Sequence, residues 1–261
     1  MGKITRALQK FSEEGFQHID AVVKAKECAK FIVPNFKESK VDPRIITYFD
    51  SKSIISEQYK MLATNLLSLN KRKPPKAIAI TSSIAGEGKT ITSLNLAITL
   101  CSAISNPRII LIDADMRKGL VNKYLGRPAL KGLSNYLNGK VSLEDIIFSI
   151  DIQNLSLIAA GDVPGNPAEL LASERMRALI NALRARYDFI LIDTPPVIPV
   201  ADSVIVGGQV DGVIVLIQAG RTQREMVSRS TELLTQANVN IIGHVLTNIE
   251  YFIPRYVYQY L

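Results

Sequence analysis

The sequence predicts an α/β fold, a mostly parallel, doubly wound sheet flanked by helices and preceded by a basic N-terminal extension. Three observations predict it. From Ala77 onward, short β-branched runs alternate with longer helical patterns, the order expected of βαβ units. The apolar runs, such as Ile109-Ile110-Leu111-Ile112 and Phe189-Ile190-Leu191-Ile192, are continuous, as strands covered by helices on both faces are. A glycine-rich turn, Ala85-Gly86-Glu87-Gly88-Lys89-Thr90, joins the first apolar run to the first long helical pattern.

Taken in order, strands are expected at 77–81, 108–113, 155–159, 189–193, 212–218 and 241–246. Helices are expected at 89–105, 168–187, 202–209 and 223–238, with shorter ones at 132–137 and 142–148. The chain before Ala77 differs in character. Its start is weakly amphipathic (Ile4, Leu8, Phe11), a Lys-rich stretch with Pro34 and Pro43 follows, and a helix is expected at 56–70. Lys71-Arg72-Lys73-Pro74-Pro75-Lys76 then breaks the pattern. The expected organisation is a partly helical extension over 1–76, a catalytic domain over 77–250 and a tyrosine-containing tail over 251–261.

A chain of 261 residues, 47% of them apolar, is long enough to bury one large α/β core. The formal charge of +7 is unevenly placed: residues 1–76 carry 15 Lys/Arg against 8 Asp/Glu, whereas residues 77–261 carry 16 of each. A nucleic-acid enzyme concentrates basic residues around its site, so no nucleic-acid partner is expected. A solvated surface that serves solubility is the plain reading of the basic segment, and an anionic membrane surface or an acidic partner is the alternative. Cys28 and Cys101 stand alone, without metal-ligand spacing or a disulfide framework, consistent with a reducing compartment. No run approaches the roughly 18 to 20 apolar residues of a spanning helix, and the start lacks a signal peptide's apolar stretch, so a cytoplasmic protein is expected.

The glycine-rich turn follows an apolar strand and opens a helix, the context in which a P-loop pattern becomes a phosphate site. Small residues let successive backbone N–H groups close on phosphate oxygens, and the helix adds the positive end of its dipole. Lys89 would reach the β- and γ-phosphates of ATP, and the Thr90 hydroxyl would ligate Mg²⁺. The strict pattern takes glycine at position 83, where this chain has Ser83. Two later strands end in acids: Asp113-Ala114-Asp115-Met116-Arg117 and Asp193-Thr194-Pro195-Pro196. Ligands of parallel sheets collect at the carboxyl ends of strands. An isolated Asp after a strand is commonly a turn or cap residue. Three of them beside a P-loop point instead to a metal-holding, phosphoryl-transfer site built from Asp113, Asp115 and Asp193.

These residues together resemble the bacterial tyrosine kinases, P-loop kinases associated with capsule and exopolysaccharide assembly. The similarity covers about residues 53 to 250. Its motifs are Ser83-Ile84-Ala85-Gly86-Glu87-Gly88-Lys89-Thr90, Leu111-Ile112-Asp113-Ala114-Asp115-Met116-Arg117 and Ile190-Leu191-Ile192-Asp193-Thr194-Pro195-Pro196. Further similarity lies in Gly132-Leu133-Ser134, in Gly161-Asp162-Val163-Pro164-Gly165-Asn166-Pro167-Ala168-Glu169-Leu170-Leu171 and in Ser173-Glu174-Arg175-Met176. The resemblance implies that Lys89 and the loop amides clamp ATP, and that Thr90, Asp113 and Asp193 form the direct or water-mediated Mg²⁺ shell. Asp113 or Asp115 would assist deprotonation of the incoming tyrosine, whose free pKa near 10 makes it a poor nucleophile at neutral pH. By analogy with related nucleotide-binding folds, Asn248 would contact adenine.

The resemblance also implies autophosphorylation of a C-terminal tyrosine cluster, with Tyr251, Tyr256, Tyr258 and Tyr260 as the acceptors. Alternating Tyr and Val in that tail also reads as an edge strand. Ring-forming relatives carry Glu-x-x-Arg-x-x-Arg ahead of the loop; the corresponding residues here are Glu57, Lys60 and Ala63, and neither replacement reproduces an arginine fork. A homo-oligomer is expected only with that reservation. The family's activators are membrane proteins, so a separate membrane-anchored activator of polysaccharide co-polymerase type is expected, holding the kinase at the inner face of the plasma membrane. The rival reading is a partitioning-type or scaffold ATPase that hydrolyses ATP without phosphorylating tyrosine. Partitioning ATPases carry a further lysine where this chain has Ile84.

Overall fold

The computed structural model describes residues 39–69, 76–103 and 107–249. The amphipathic start, the Lys71–Pro75 break and the tail tyrosines Tyr251, Tyr256, Tyr258 and Tyr260 lie outside the described residues.

Seven strands form one sheet: β1 (Ala77–Ser82), β2 (Ile109–Asp113), β3 (Phe148–Ser149), β4 (Leu155–Ile158), β5 (Phe189–Asp193), β6 (Gly212–Gln218) and β7 (Ile241–Thr247). Their order is β3-β4-β2-β5-β1-β6-β7. Every pair is parallel except β3 with β4. β1, β2 and β5 are buried along their whole length, which is why each reads as an unbroken apolar run.

Successive side chains enter opposite layers. Ala77, Ala79, Ile110, Ile112, Ile190, Ile192, Val213 and Val215 face one core, where α6 (Pro167–Ala172), α7 (Glu174–Arg186) and α9 (Arg224–Gln236) supply Leu171, Met176, Leu179, Leu183 and Leu234. Ile78, Ile80, Ile109, Leu111, Leu191, Ile214 and Leu216 face the other, covered by Leu94, Ala97 and Leu100 of α3 (Lys89–Ala103). This second core also takes Ile45 and, from α2 (Ile54–Ser68), Ala63 and Leu66. The helices that cover the first core therefore all follow β2, whereas the second recruits packing that begins ahead of residue 77.

Four local features differ from the sequence reading. The helix expected at 168–187 is two helices, because Ser173 is extended and its hydroxyl accepts the Met176 N–H as an N-cap while donating to the Leu170 carbonyl. The helix expected at 142–148 is a single 3₁₀ turn over Glu144–Ile146 followed by the antiparallel edge strand β3. Short helices α1 (Ile46–Phe49) and α4 (Val121–Tyr124) were not expected, and α5 (Leu133–Leu137) and α8 (Asp202–Gly207) fall where helices were. In α2, Lys60 Nζ pairs with Glu57 Oε1 of the same helix at 2.7 Å, and Ala63 is wholly buried in the core.

Candidate active site

The turn after β1 is shaped by two glycines with left-handed backbone, Gly86 (φ 87°) and Gly88 (φ 92°), which residues bearing a Cβ rarely adopt. A Cβ at Gly86 would also lie 2.8 Å from Arg221 Nη1. Ser83 has no such requirement, so glycine is not needed there. It is buried, and its hydroxyl lies 2.7 Å from that of Ser230 on α9, tying the loop's start to a neighbouring helix. α3 begins at Lys89, and the Gly88 carbonyl already accepts the Thr92 N–H at 2.8 Å. The N–H groups of the loop thus converge ahead of a helix N-terminus, an arrangement that binds phosphate.

Register brings the acids together. Asp113 at the end of β2 is directly opposite Asp193 at the end of β5, and β5 lies next to β1, which carries the loop. Thr90 Oγ1 donates to Asp193 Oδ2 at 2.6 Å and Ser93 Oγ to Asp193 Oδ1 at 3.0 Å. Asp113 accepts the Asp115 N–H at 3.2 Å and the Val121 N–H at 3.0 Å, one on each oxygen. Both carboxylates are buried, whereas Asp115 is half-buried and uses one oxygen to accept the Lys118 N–H at 3.1 Å.

Two carboxylates buried at adjoining strand ends are costly to ionise together. Burial, opposed by the hydrogen bond from Thr90 and the charge of Lys89, pushes the Asp193 carboxyl up to about 6. Burial and the neighbouring Asp193 push the Asp113 carboxyl well above the usual range. Burial lowers the Lys89 ammonium, against the attraction of Asp193, Asp115 and Glu87. No carboxylate forms an ion pair with Lys89 among the described residues.

The donor set suits Mg²⁺: a hydroxyl and two carboxylates are hard oxygen ligands. No group of three or more His, Cys, Asp or Glu side chains forms a cage among the described residues. Magnesium does not ask for one, because it keeps several waters and takes phosphate oxygens as ligands.

Asn248 follows β7 with a left-handed backbone (φ 52°) and is exposed. It is adjacent to Thr247, whose hydroxyl donates to the Glu87 carbonyl of the loop at 3.0 Å. The structure therefore gathers Ala85, Gly86, Glu87, Gly88, Lys89, Thr90, Asp113, Asp115 and Asp193 at one end of the sheet, with Asn248 on the side of β6 and β7.

Two contributors were not read from the sequence. Ser93 lies three residues after Thr90, so both hydroxyls face Asp193 from one side of α3. Arg117 makes a two-point ion pair with buried Asp202 (Nε–Oδ2 2.9 Å, Nη2–Oδ1 3.0 Å), bracing the segment that carries Asp115. The 90/93 spacing was a usable signal; the Arg117–Asp202 pair joins residues 85 apart and had none.

Residues 75–241 match the family model of an AAA domain. The tyrosine-protein kinase YwqD of Bacillus subtilis (strain 168) is 34% identical over 208 residues, spanning 80% of this chain and 87% of the relative. Among solved structures, the chimerical protein CapA2B2 superposes with a TM-score of 0.76 at 28% identity, covering 81% of this chain and 93% of that one. The BceF tyrosine kinase domain superposes at 0.71 with 29% identity, covering 88% of each chain. With its phosphate loop, paired strand-end acids and these relatives, the chain belongs to the bacterial tyrosine-protein kinase family, built on an AAA-type P-loop nucleotide-binding domain.

Proposed function

We propose that this protein is an ATP-dependent tyrosine autokinase that regulates exopolysaccharide or capsule synthesis and export. The observation that carries the reading is the buried Asp113–Asp193 pair lying across β2 and β5 beside Thr90 and Lys89. The loop amides and Lys89 bind the phosphates of ATP and draw charge from the transferring group. Thr90, Asp113 and Asp193 hold Mg²⁺, which neutralises charge on the phosphates when bound. Asn248 contacts the adenine.

The tyrosine oxygen attacks the γ-phosphorus, the bond from that phosphorus to the β,γ-bridging oxygen breaks, and ADP leaves with the bonding electron pair. The tyrosine proton passes to Asp115. Asp113 is less suited to that role because it is buried and both its oxygens already accept backbone N–H groups. The acceptors are Tyr251, Tyr256, Tyr258 and Tyr260, offered in a homo-oligomer by a neighbouring copy. A membrane-anchored activator of polysaccharide co-polymerase type holds the kinase at the cytoplasmic face of the membrane. No described helix is long and apolar enough to cross a membrane, which suits recruitment by such a partner. Replacing the four tail tyrosines by phenylalanine should remove phosphate incorporation, measured by phosphopeptide mapping, while ATP still binds; incorporation that persists elsewhere at the wild-type level contradicts the acceptor assignment.

The site also sets a pH dependence. A carboxyl whose pKa is raised on folding stabilises the nucleotide-free protein while protonated, and that contribution is lost as pH rises through about 6. Binding Mg²⁺ with nucleotide requires the ionised form. Below about pH 6 Asp193 must therefore give up a proton, and Asp113, also raised well above the usual range, must give up another, so the apparent affinity for Mg-ADP should fall by about tenfold per pH unit or more. Calorimetric titrations from pH 5 to 8 check this, and Asp193→Asn should make the profile less steep by about one proton.

A further inference from the structure

Glu87 stands between the two left-handed glycines of the phosphate loop, where a side chain has no part in the phosphate contacts set out above. It is nevertheless only 1% exposed. Its Oε2 accepts the Ile84 N–H at 2.7 Å, and its Oε1 accepts the Gln218 N–H at 3.2 Å together with the Thr222 hydroxyl. Its own carbonyl accepts from Thr247. One residue thus joins the loop to its own start and to the carboxyl ends of both β6 and β7. From the same turn after β6, Arg221 Nη1 donates to the Gly86 carbonyl at 3.3 Å and to Gln218 Oε1 at 3.0 Å.

A buried carboxylate is costly unless its oxygens meet donors, and here three donors meet them. Its negative charge beside a polyphosphate site opposes the ligand, so the placement calls for an offsetting contribution. Ordering the loop before the ligand arrives is such a contribution, because a preorganised site loses less freedom on binding. The Ile84 N–H is engaged by Glu87, which leaves the N–H groups from Gly86 to Thr90 for phosphate.

We infer that Glu87 is a positioning residue: its carboxylate holds residues 84–88 in the phosphate-accepting arrangement and makes that arrangement depend on the segment 218–222 through Thr222. The inference rests on the loop being the nucleotide site, and its test separates the two. Using the full chain with Mg²⁺, ADP and ATP are titrated calorimetrically against wild type, Glu87→Ala, Glu87→Gln, Thr222→Val and Thr222→Ser. Hydrogen exchange is followed in the nucleotide-free forms.

Glu87→Ala should weaken ADP and ATP by the same factor, about tenfold or more, because the loop grips phosphates common to both. Amides of 84–88 should exchange faster, with β1 and α3 protected as in wild type. Glu87→Gln should also weaken binding, since its amide NH₂ meets a backbone N–H. Thr222→Val should shift affinity in the same direction by less, and Thr222→Ser should restore it. Wild-type affinity in folded Glu87→Ala overturns the inference. So does a loss of affinity accompanied by faster exchange throughout the sheet, which marks a purely structural role. If Glu87→Ala does not fold, the Thr222 pair decides alone: weakening by Val with recovery by Ser supports the inference, and two wild-type affinities overturn it. Wild-type protein that binds neither nucleotide overturns the nucleotide reading of the loop and the inference with it.

Discussion

Replacing Lys89 with methionine is expected to lower tyrosine phosphorylation by at least about 10³-fold, the scale of losing a charged group aimed at the transferring phosphoryl. Lys89 is nearly buried and no carboxylate pairs with it among the described residues, so its ammonium is held at the site by the field of Asp193, Asp115 and Glu87 rather than by a salt bridge. Methionine keeps the apolar stem and removes the charge. Because burial disfavours the ammonium, the nucleotide-free variant should melt at or slightly above the wild-type temperature. Anti-phosphotyrosine detection of the activated protein, with a thermal melt alongside, checks both halves. A strongly lowered melting temperature would mean that Lys89 serves the fold rather than the ligand.

Asp193→Asn is expected to be comparably severe, about 10² to 10⁴-fold in phosphoryl transfer, through loss of a metal ligand. The substitution is nearly isosteric, but it removes the negative charge and turns one acceptor oxygen into a donor. That amide then meets either the Thr90 or the Ser93 hydroxyl, each of which now donates to Asp193. Hydroxyls can rotate to accept, so the fold should survive. The defect should appear mainly as a raised Mg²⁺ requirement in phosphorylation assays run over a range of metal concentration. A drop in rate with unchanged Mg²⁺ dependence would place the metal elsewhere.

The strands were legible because burial on both faces writes an uninterrupted apolar run. Ile109 and Leu111 enter one core while Ile110 and Ile112 enter the other, so neither face needs polar residues. β3 was not legible, being two residues long and antiparallel at the sheet edge. The break at Ser173 was missed because Ala168 to Tyr187 has helical composition throughout; only the capping preference of serine marks it.

Within the site, Asp113 and Asp193 could be found because each closes an apolar strand, and Lys89 and Thr90 because they end the glycine-rich turn after one; parallel pairing then places the strand ends side by side. Glu87 could be read only as a loop residue, since its partners Gln218 and Thr222 lie 131 and 135 residues away. Ser93 carried a usable signal, its three-residue spacing from Thr90 on one side of α3. In α2, Lys60 turns to Glu57 of its own helix, and Ala63 belongs to the core.

Intact-mass analysis of the full chain incubated with Mg²⁺ and ATP, with and without its membrane activator, tests the kinase reading most directly. The account predicts stepwise additions of one phosphate, mapped to tyrosines between Tyr251 and Tyr260 and absent in Lys89→Met. ATP turnover under activated conditions with no phosphate added to the protein would contradict it and identify a nucleotide-hydrolysing scaffold instead.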